Sequence, residues 1–126
     1  MTNKSILLVD DSLQNLKLTR FLLKQGGFEV GTAENAEQAL SALEQHVPDM
    51  ILMDIQLPGM DGLALTRHLR RDDSLRGVPI VAFTASAIKG DADLALAAGC
   101  DGYITKPIDT RTFVSVVREY VDREGA

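Results

Sequence analysis

The 126-residue sequence predicts an α/β fold, a doubly wound parallel sheet of five strands covered on both faces by five helices. Short apolar runs alternate along the chain with segments of helical periodicity. The runs are continuously apolar, which is typical of parallel strands buried on both faces. Because crossovers between parallel strands are right-handed, the helices distribute over both faces of the sheet. We find no linker, repeat or low-complexity tract, and therefore predict one domain over residues 1–126.

The strands and the first helix can be placed directly. Predicted strands cover residues 6–9, 28–32, 50–53, 79–83 and 103–105. Leu18, Phe21 and Leu22 supply the apolar stripe of the first helix, and Gly26-Gly27 stops it. The second strand is weaker and more polar than the others.

The second and third helices follow the second and third strands. Asn35, with Gln38 three positions later, is a capping-box-like start for the second helix. Its inward side chains are Ala36, Ala39, Leu40 and Leu43. A loop over residues 58–62 precedes the third helix, on which Leu65 and Leu69 form an i, i+4 pair. We predict that residues 70–73 are a solvated helix end.

Two aspartates mark the starts of the last two helices. Asp91 can cap a short alanine-rich helix that runs through Ala98 and closes at Gly99. Asp109 can cap the fifth helix. The buried stripe of that helix comprises Phe113, Val117, Tyr120 and Val121.

Polar residues follow four of the five predicted strands. They are Asp10, Asp11, Asp54, Thr84 and Lys106. Because the carboxyl ends of parallel strands share one edge of the sheet, we expect these side chains to converge on one crevice. Two carboxylates about 4 Å apart repel by about 1 kcal/mol in water and about 4 kcal/mol at an effective dielectric of about 20. Three acids therefore call for a cation, and a hard divalent ion such as Mg²⁺ suits oxygen ligands best.

Composition limits the classes of partner. The formal net charge of -5 argues against a nucleic-acid partner. Cys100 is the single cysteine, so we expect a small buried hydrophobe in a reducing compartment and no internal disulfide. The first residues lead straight into a strand without a signal stretch, and no apolar run reaches transmembrane length. We therefore expect a soluble, cytoplasmic protein with no membrane partner.

Four motifs follow the first, third, fourth and fifth strands. They are Asp10-Asp11, Asp54 within Met-Asp-Ile-Gln-Leu-Pro-Gly-Met-Asp-Gly, Thr84-Ala85, and Lys106-Pro107. This set resembles the receiver domain of two-component response regulators, in the family's order and over essentially the whole chain. The resemblance implies a flavodoxin-like topology with strand order 2-1-3-4-5. Within the family, the sequence resembles single-domain, DivK-like regulators and receivers of hybrid histidine kinases.

The resemblance also implies a role for each site residue. Asp54 would be the phosphoacceptor, taking a phosphoryl group from a histidine kinase or a histidine phosphotransfer protein. Mg²⁺, or Mn²⁺ as a substitute, would be held by Asp11, Asp54 and the backbone carbonyl of Gln56, with Asp10 acting through a water. Lys106 would offset charge on the phosphoryl oxygens. The protein would catalyse only its own phosphorylation and dephosphorylation, and would not otherwise be an enzyme.

Signalling in this family implies a two-residue switch. The Thr84 hydroxyl would move onto the phosphoryl group, and Tyr103 would rotate inward from outside. The altered surface would comprise the fourth helix, fifth strand and fifth helix, and would bind a downstream protein target. By the same analogy we expect a cis peptide between Lys106 and Pro107.

Simpler roles remain open for several of these residues. Residues 10–12 could merely cap the first helix, because short polar side chains there satisfy free amides. Three further aspartates are expected as turn and cap residues, and two histidines as solvent-facing side chains. They are Asp61, Asp101, Asp109, His46 and His68.

Three other functions deserve comparison. A flavodoxin-like cofactor enzyme would share the architecture, but the loops lack a glycine-rich phosphate cradle. An aspartate-nucleophile phosphatase would carry an Asp-x-Asp pattern on the first strand, where this chain has adjacent aspartates. A receiver that signals without phosphorylation would not need the complete acidic set.

Overall fold

The computed structural model describes residues 4–55, 62–84, 89–105 and 109–123. Within these ranges, five strands form one parallel sheet in the order β2-β1-β3-β4-β5. The strands are β1 (Ser5–Val9), β2 (Glu29–Ala33), β3 (Met50–Asp54), β4 (Ile80–Thr84) and β5 (Gly102–Thr105). The predicted fold class and strand order are both confirmed.

Helices cover both faces of the sheet. They are α1 (Leu13–Gln25), α2 (Ala36–Gln45), α3 (Gly62–Arg70), α4 (Lys89–Ala98) and α5 (Phe113–Arg123). A short 3₁₀ helix at Asp73–Leu75, which the sequence did not predict, leads from α3 towards β4. Every helix in the described ranges is too short or insufficiently apolar to cross a lipid bilayer.

The core is divided between the two faces of the sheet. In β1, Ile6 and Leu8 belong to the cluster formed with α1 and α5, whereas Leu7 and Val9 belong to the cluster formed with α2, α3 and α4. Successive side chains of a strand point to opposite faces of the sheet. The residues on both faces must therefore be apolar. Full burial of each such side chain contributes about 1.5–3 kcal/mol. The continuous apolar runs that predicted the fold follow from this two-sided burial.

The start of α2 is confirmed as predicted. The Asn35 side chain accepts a hydrogen bond from the backbone N–H of Gln38 at 2.9 Å. In return, the Gln38 side chain accepts from the backbone N–H of Glu34 at 2.8 Å. One unpaired amide of the first helical turn and the N–H of the residue before the N-cap are thereby satisfied.

The stripe predicted for α1 is wrong at Leu18 and Phe21, whereas Leu22 packs partly buried against the core as predicted. Leu18 is 42% exposed and Phe21 57% exposed, and the buried residues of the helix are Leu16, Thr19 and Leu23. Apolar residues occur on several sides of α1, so periodicity alone did not fix its inward face. Thr19 is tolerated in the buried stripe because its hydroxyl donates to the carbonyl of Asn15 at 2.6 Å.

The sequence predicted a solvated segment over residues 70–73, and residues 71–73 are exposed as predicted, but Arg70 is not. The Arg70 side chain is 21% exposed. It donates to the carbonyls of Gly99 at 2.8 Å and Val78 at 2.9 Å, and to the Asp101 carboxylate at 2.5 Å. Asp101, predicted as a turn residue, also accepts from the backbone N–H of Ile80 at 2.8 Å. This cluster joins α3 to the end of α4 and to the starts of β4 and β5.

The ends of α4 and α5 differ partly from prediction. Asp91 lies inside α4, because the helix begins at Lys89. Gly99 follows the last residue of α4 with a φ of 116°, so the predicted stop is confirmed. The Asp109 carboxylate accepts from the N–H of Arg111 at 2.9 Å. The N–H of Phe113, the first residue of α5, donates to the Asp109 carbonyl at 2.9 Å, so Asp109 shapes the turn that leads into α5 and accepts from the start of the helix.

Candidate metal centre

Three aspartates meet at the carboxyl ends of β1 and β3. Asp10 and Asp11 follow β1, and Asp54 is the last residue of the adjacent β3, since Val9 pairs with Met53. One carboxylate oxygen from each aspartate lies within 4.8 Å of the other two. Asp10 and Asp54 are buried, whereas Asp11 is exposed. The acidic residues that the sequence placed at one edge of the sheet are therefore brought together.

Local hydrogen bonds orient the Asp10 carboxylate. One of its oxygens, Oδ1, accepts from the backbone N–H of Ser12 at 2.9 Å. Ser12 itself is the N-cap of α1, and its hydroxyl accepts from the N–H of Asn15 at 3.3 Å. Capping of α1 is thus performed by Ser12. The two aspartates before it belong to the acidic cluster.

Backbone contacts on both sides fix the position of Asp54. All five residues of β3 are buried between β1 and β4. The next residue, Ile55, donates its backbone N–H to the carbonyl of Phe83 at 3.3 Å. Its own carbonyl accepts from the N–H of Gly62 at 3.1 Å. The second contact joins the residue after Asp54 to the first residue of α3.

The chemistry of the cluster suits a hard cation. Its donors are carboxylate oxygens, the ligand type that Mg²⁺, Ca²⁺ and Mn²⁺ prefer, and it contains no sulfur or imidazole ligand. In the described part of the chain, no other group of three His, Cys, Asp or Glu side chains meets this geometry. Two buried carboxylates at this separation repel each other, and a dication between them would turn the repulsion into attraction. The residues present therefore fit a divalent metal ion.

The other predicted site residues can be placed only in part. Thr84 ends β4 and pairs in register with Thr105 of β5, but its side chain lies outside the described residues. Tyr103 lies on β5 and is 45% exposed. Gln56 and the 106–107 peptide, with Lys106 and Pro107, lie outside the described ranges.

A serine, a histidine and an aspartate also meet at the opposite end of the sheet. The Ser5 hydroxyl lies 3.0 Å from Nε2 of His46. The Asp49 carboxylate accepts from the backbone N–H of Ser5 at 2.7 Å and lies 3.4 Å from its hydroxyl. In a catalytic triad the acid orients the imidazole, but here it contacts the serine. We interpret the group as a structural tie between β1 and the segment before β3.

Cys100 is a buried free thiol, as the sequence predicted. Burial raises the pKa of this thiol above its ordinary value, while the Thr66 hydroxyl and the Arg70 charge oppose that shift in part. A thiol of this kind stays protonated and is a poor nucleophile. His46 and His68 are exposed, as expected.

The family model of the response regulator receiver domain matches residues 6–118. The chain belongs to the response regulator receiver domain family. A similar curated relative is the polar-differentiation response regulator DivK of Brucella anthropi, which is 42% identical over 118 residues, covering 94% of this chain and 96% of DivK. The Brucella ovis DivK is 41% identical with the same coverage.

Solved receiver structures agree in fold. A CheY-like receiver domain protein from Methanospirillum hungatei superimposes with a TM-score of 0.89 at 31% identity, covering 98% of each chain. The receiver domain of the sensor histidine kinase PA1611 from Pseudomonas aeruginosa gives a TM-score of 0.87 at 33% identity, covering 96% of this chain and 99% of that one. The PA1611 structure has a magnesium ion coordinated in its active-site cleft. This chain is thus a DivK-like receiver of two-component signalling, and the resemblance inferred from its motifs is confirmed.

Proposed function

We infer that this receiver accepts a phosphoryl group on Asp54 from a phosphohistidine of a histidine kinase or histidine phosphotransfer protein. The observation that carries this proposal is the buried Asp54 carboxylate at the end of β3, within 4.8 Å of carboxylate oxygens of Asp10 and Asp11. Family membership and the magnesium in the PA1611 receiver support it. We also propose that residues 1–126 form one receiver domain and that it acts in the cytoplasm.

The Asp54 carboxylate is the nucleophile of the proposed reaction. A carboxylate is already anionic at neutral pH, so it needs no general base. It does need compensation for the charge that accumulates when a second anion approaches. Asp11, Asp54 and the carbonyl of Gln56 would hold Mg²⁺ together with Asp10, and the bound ion would supply that compensation. Positioning and electrostatics then account for the reaction.

Two further residues complete the proposed site by family analogy. The Lys106 ammonium would contact the phosphoryl oxygens, and the Thr84 hydroxyl would donate a hydrogen bond to one of them. Thr84 is suited to this by its place at the end of β4, beside β3. Water would later hydrolyse the acyl phosphate at the same site, so the only turnover is self-dephosphorylation.

The proposed output is a changed surface on α4, β5 and α5. Phosphorylation adds about two negative charges and three acceptor oxygens to a small cavity. In the proposed switch, Thr84 moves towards the phosphoryl group, and Tyr103 turns inward from its exposed position. Leu94 and Leu96 of α4 are 51% and 47% exposed. Exposed leucines of this kind suit contact with a protein target. A target that binds the phosphorylated and unphosphorylated forms with different affinity would respond to the signal.

Intact-mass measurement after incubation with acetyl phosphate and Mg²⁺ tests the proposal. We expect one added phosphoryl group on the wild type, none on Asp54→Asn, and none on the wild type in EDTA. Asp49→Asn is the matched control, because Asp49 precedes β3 at the opposite end of the strand, and it should be labelled like the wild type. Equal labelling of the wild type and Asp54→Asn would place the acceptor elsewhere, and labelling in EDTA would contradict the metal role.

A further inference from the structure

Gly62, the first residue of α3, lies directly against the backbone of the proposed phosphoacceptor. An ideal Cβ built on Gly62 would collide with the carbonyl oxygen of Asp54. It would also lie 2.6 Å from Cα of Ile55 and 3.0 Å from the carbonyl carbon of Asp54. All three of these atoms are backbone, so none can swing aside as the end of a flexible side chain could.

Close approach, and not backbone conformation, is what requires glycine here. Among the described glycines only Gly27 and Gly99 have positive φ. At Gly62 the constraint is the missing side chain, because any other residue would push α3 away from β3 or displace the Asp54-Ile55 peptide.

Two hydrogen bonds hold Gly62 in this contact. Its N–H donates to the carbonyl of Ile55 at 3.1 Å. Its carbonyl accepts from the hydroxyl of Thr66 at 2.7 Å. Thr66 is fully buried, and its hydroxyl also lies 3.8 Å from the sulfur of Cys100. The start of α3 is therefore fastened to the residue that follows the acceptor.

We propose that Gly62 is a positioning residue, which sets the location of the Asp54 carboxylate relative to Asp10 and Asp11 by letting α3 rest on the Asp54-Ile55 peptide. This inference deepens the proposed function and rests on it for the phosphorylation step. A displacement of about 1 Å at a reacting group can cost about 100-fold in rate. The same displacement would also spread the three carboxylates and weaken their hold on a cation.

Gly62→Ala tests the proposal, with Gly31→Ala as its matched control. A Cβ at Gly31 meets only Cδ1 of Leu7 at 3.7 Å, an ordinary contact. A second control, Leu23→Ala, creates a cavity in the core cluster formed with α1 and α5, on the opposite face of the sheet from α3, and lowers stability. Each protein is titrated with Mn²⁺ by electron paramagnetic resonance, and its labelling rate with acetyl phosphate is measured at saturating Mg²⁺.

We expect Gly62→Ala to weaken Mn²⁺ binding and to slow labelling by about tenfold or more, with Gly31→Ala and folded Leu23→Ala within about twofold of the wild type. A folded Gly62→Ala protein that matches the wild type in both measurements would overturn the proposal. So would an equal loss in Leu23→Ala, because general destabilisation would then explain the effect.

Variants of Thr66 test the same proposal if Gly62→Ala does not fold. Thr66→Val retains Gly62 but removes the hydroxyl that holds its carbonyl, and Thr66→Ser retains the hydroxyl. We expect weaker Mn²⁺ binding in Thr66→Val and recovery in Thr66→Ser, and equal affinities would count against the proposal. The Mn²⁺ titration does not depend on phosphorylation. A wild type that binds Mn²⁺ but is never labelled would therefore refute the proposed function while leaving Gly62's effect on the acidic cluster measurable.

Discussion

The acidic cluster should destabilise the protein when no metal is bound, and Asp54→Asn should relieve this cost. Asp10 and Asp54 are 3% and 6% exposed, and their facing oxygens lie within 4.8 Å. Two unit charges at that separation repel by about 3.5 kcal/mol at an effective dielectric of 20 and by about 0.9 kcal/mol in bulk water. We therefore expect Asp54→Asn to raise the free energy of unfolding by about 1–3 kcal/mol in EDTA.

Urea unfolding followed by far-UV circular dichroism measures this effect. The slope against urea should be unchanged, so the gain appears as a higher midpoint. Mg²⁺ should stabilise the wild type more than the variant, because ligand binding stabilises only the state that binds it. Asp122→Asn, which removes one charge from the exposed face of α5, controls for net charge and should change stability by less than about 0.5 kcal/mol. If Asp54→Asn is no more stable than the wild type in EDTA, the electrostatic reasoning is refuted.

Three further predictions concern the rest of the fold. Arg70→Gln should lower the free energy of unfolding by about 2–4 kcal/mol, because it removes a charged donor from three carbonyls and a carboxylate. Exposed Arg67→Gln should cost little, and equal urea midpoints for the two variants would contradict this role of Arg70. Leu23→Ala should cost about 2–5 kcal/mol and Phe21→Ala under about 1 kcal/mol, and the reverse order would mean that α1 is oriented as its sequence first suggested. The Cys100 thiol should react with a disulfide reagent far more slowly in the folded protein than in urea. Because burial raises its pKa, the stability gained from keeping it protonated should be full below about pH 8.5 and decline above that pH; fast labelling of the native thiol would refute its burial.

The fold could be predicted from the sequence because its strands are buried on both faces. Continuous runs such as 50–53 allow few alternatives, and turn residues such as Gly99 separate the elements. The inward face of α1 was mispredicted, because apolar residues lie on several sides of that helix. Arg70 was also mispredicted. A charge at a helix end is normally solvated, and no local pattern shows that carbonyls from Val78 and Gly99 surround it.

The acidic part of the site could be predicted because parallel strands end at one edge of the sheet. Asp10, Asp11 and Asp54 lie at the ends of adjacent strands, so their closeness could be predicted without knowing the conformation of the loops. The closeness of Gly62 to the acceptor backbone could not be predicted in this way. Its signal was a glycine at the end of a turn-rich segment, which is equally typical of an ordinary loop. Distances between backbones across a loop are properties of the folded chain alone.

Mapping the acyl phosphate is the most direct test that Asp54 is phosphorylated in a metal-dependent reaction. The protein is labelled with acetyl phosphate and Mg²⁺, reduced with borohydride, which converts a phosphorylated aspartate to homoserine, and sequenced by tandem mass spectrometry. We expect homoserine at position 54 in the wild type, and none when EDTA replaces Mg²⁺. Homoserine at another aspartate, or at position 54 without a divalent metal, would contradict it.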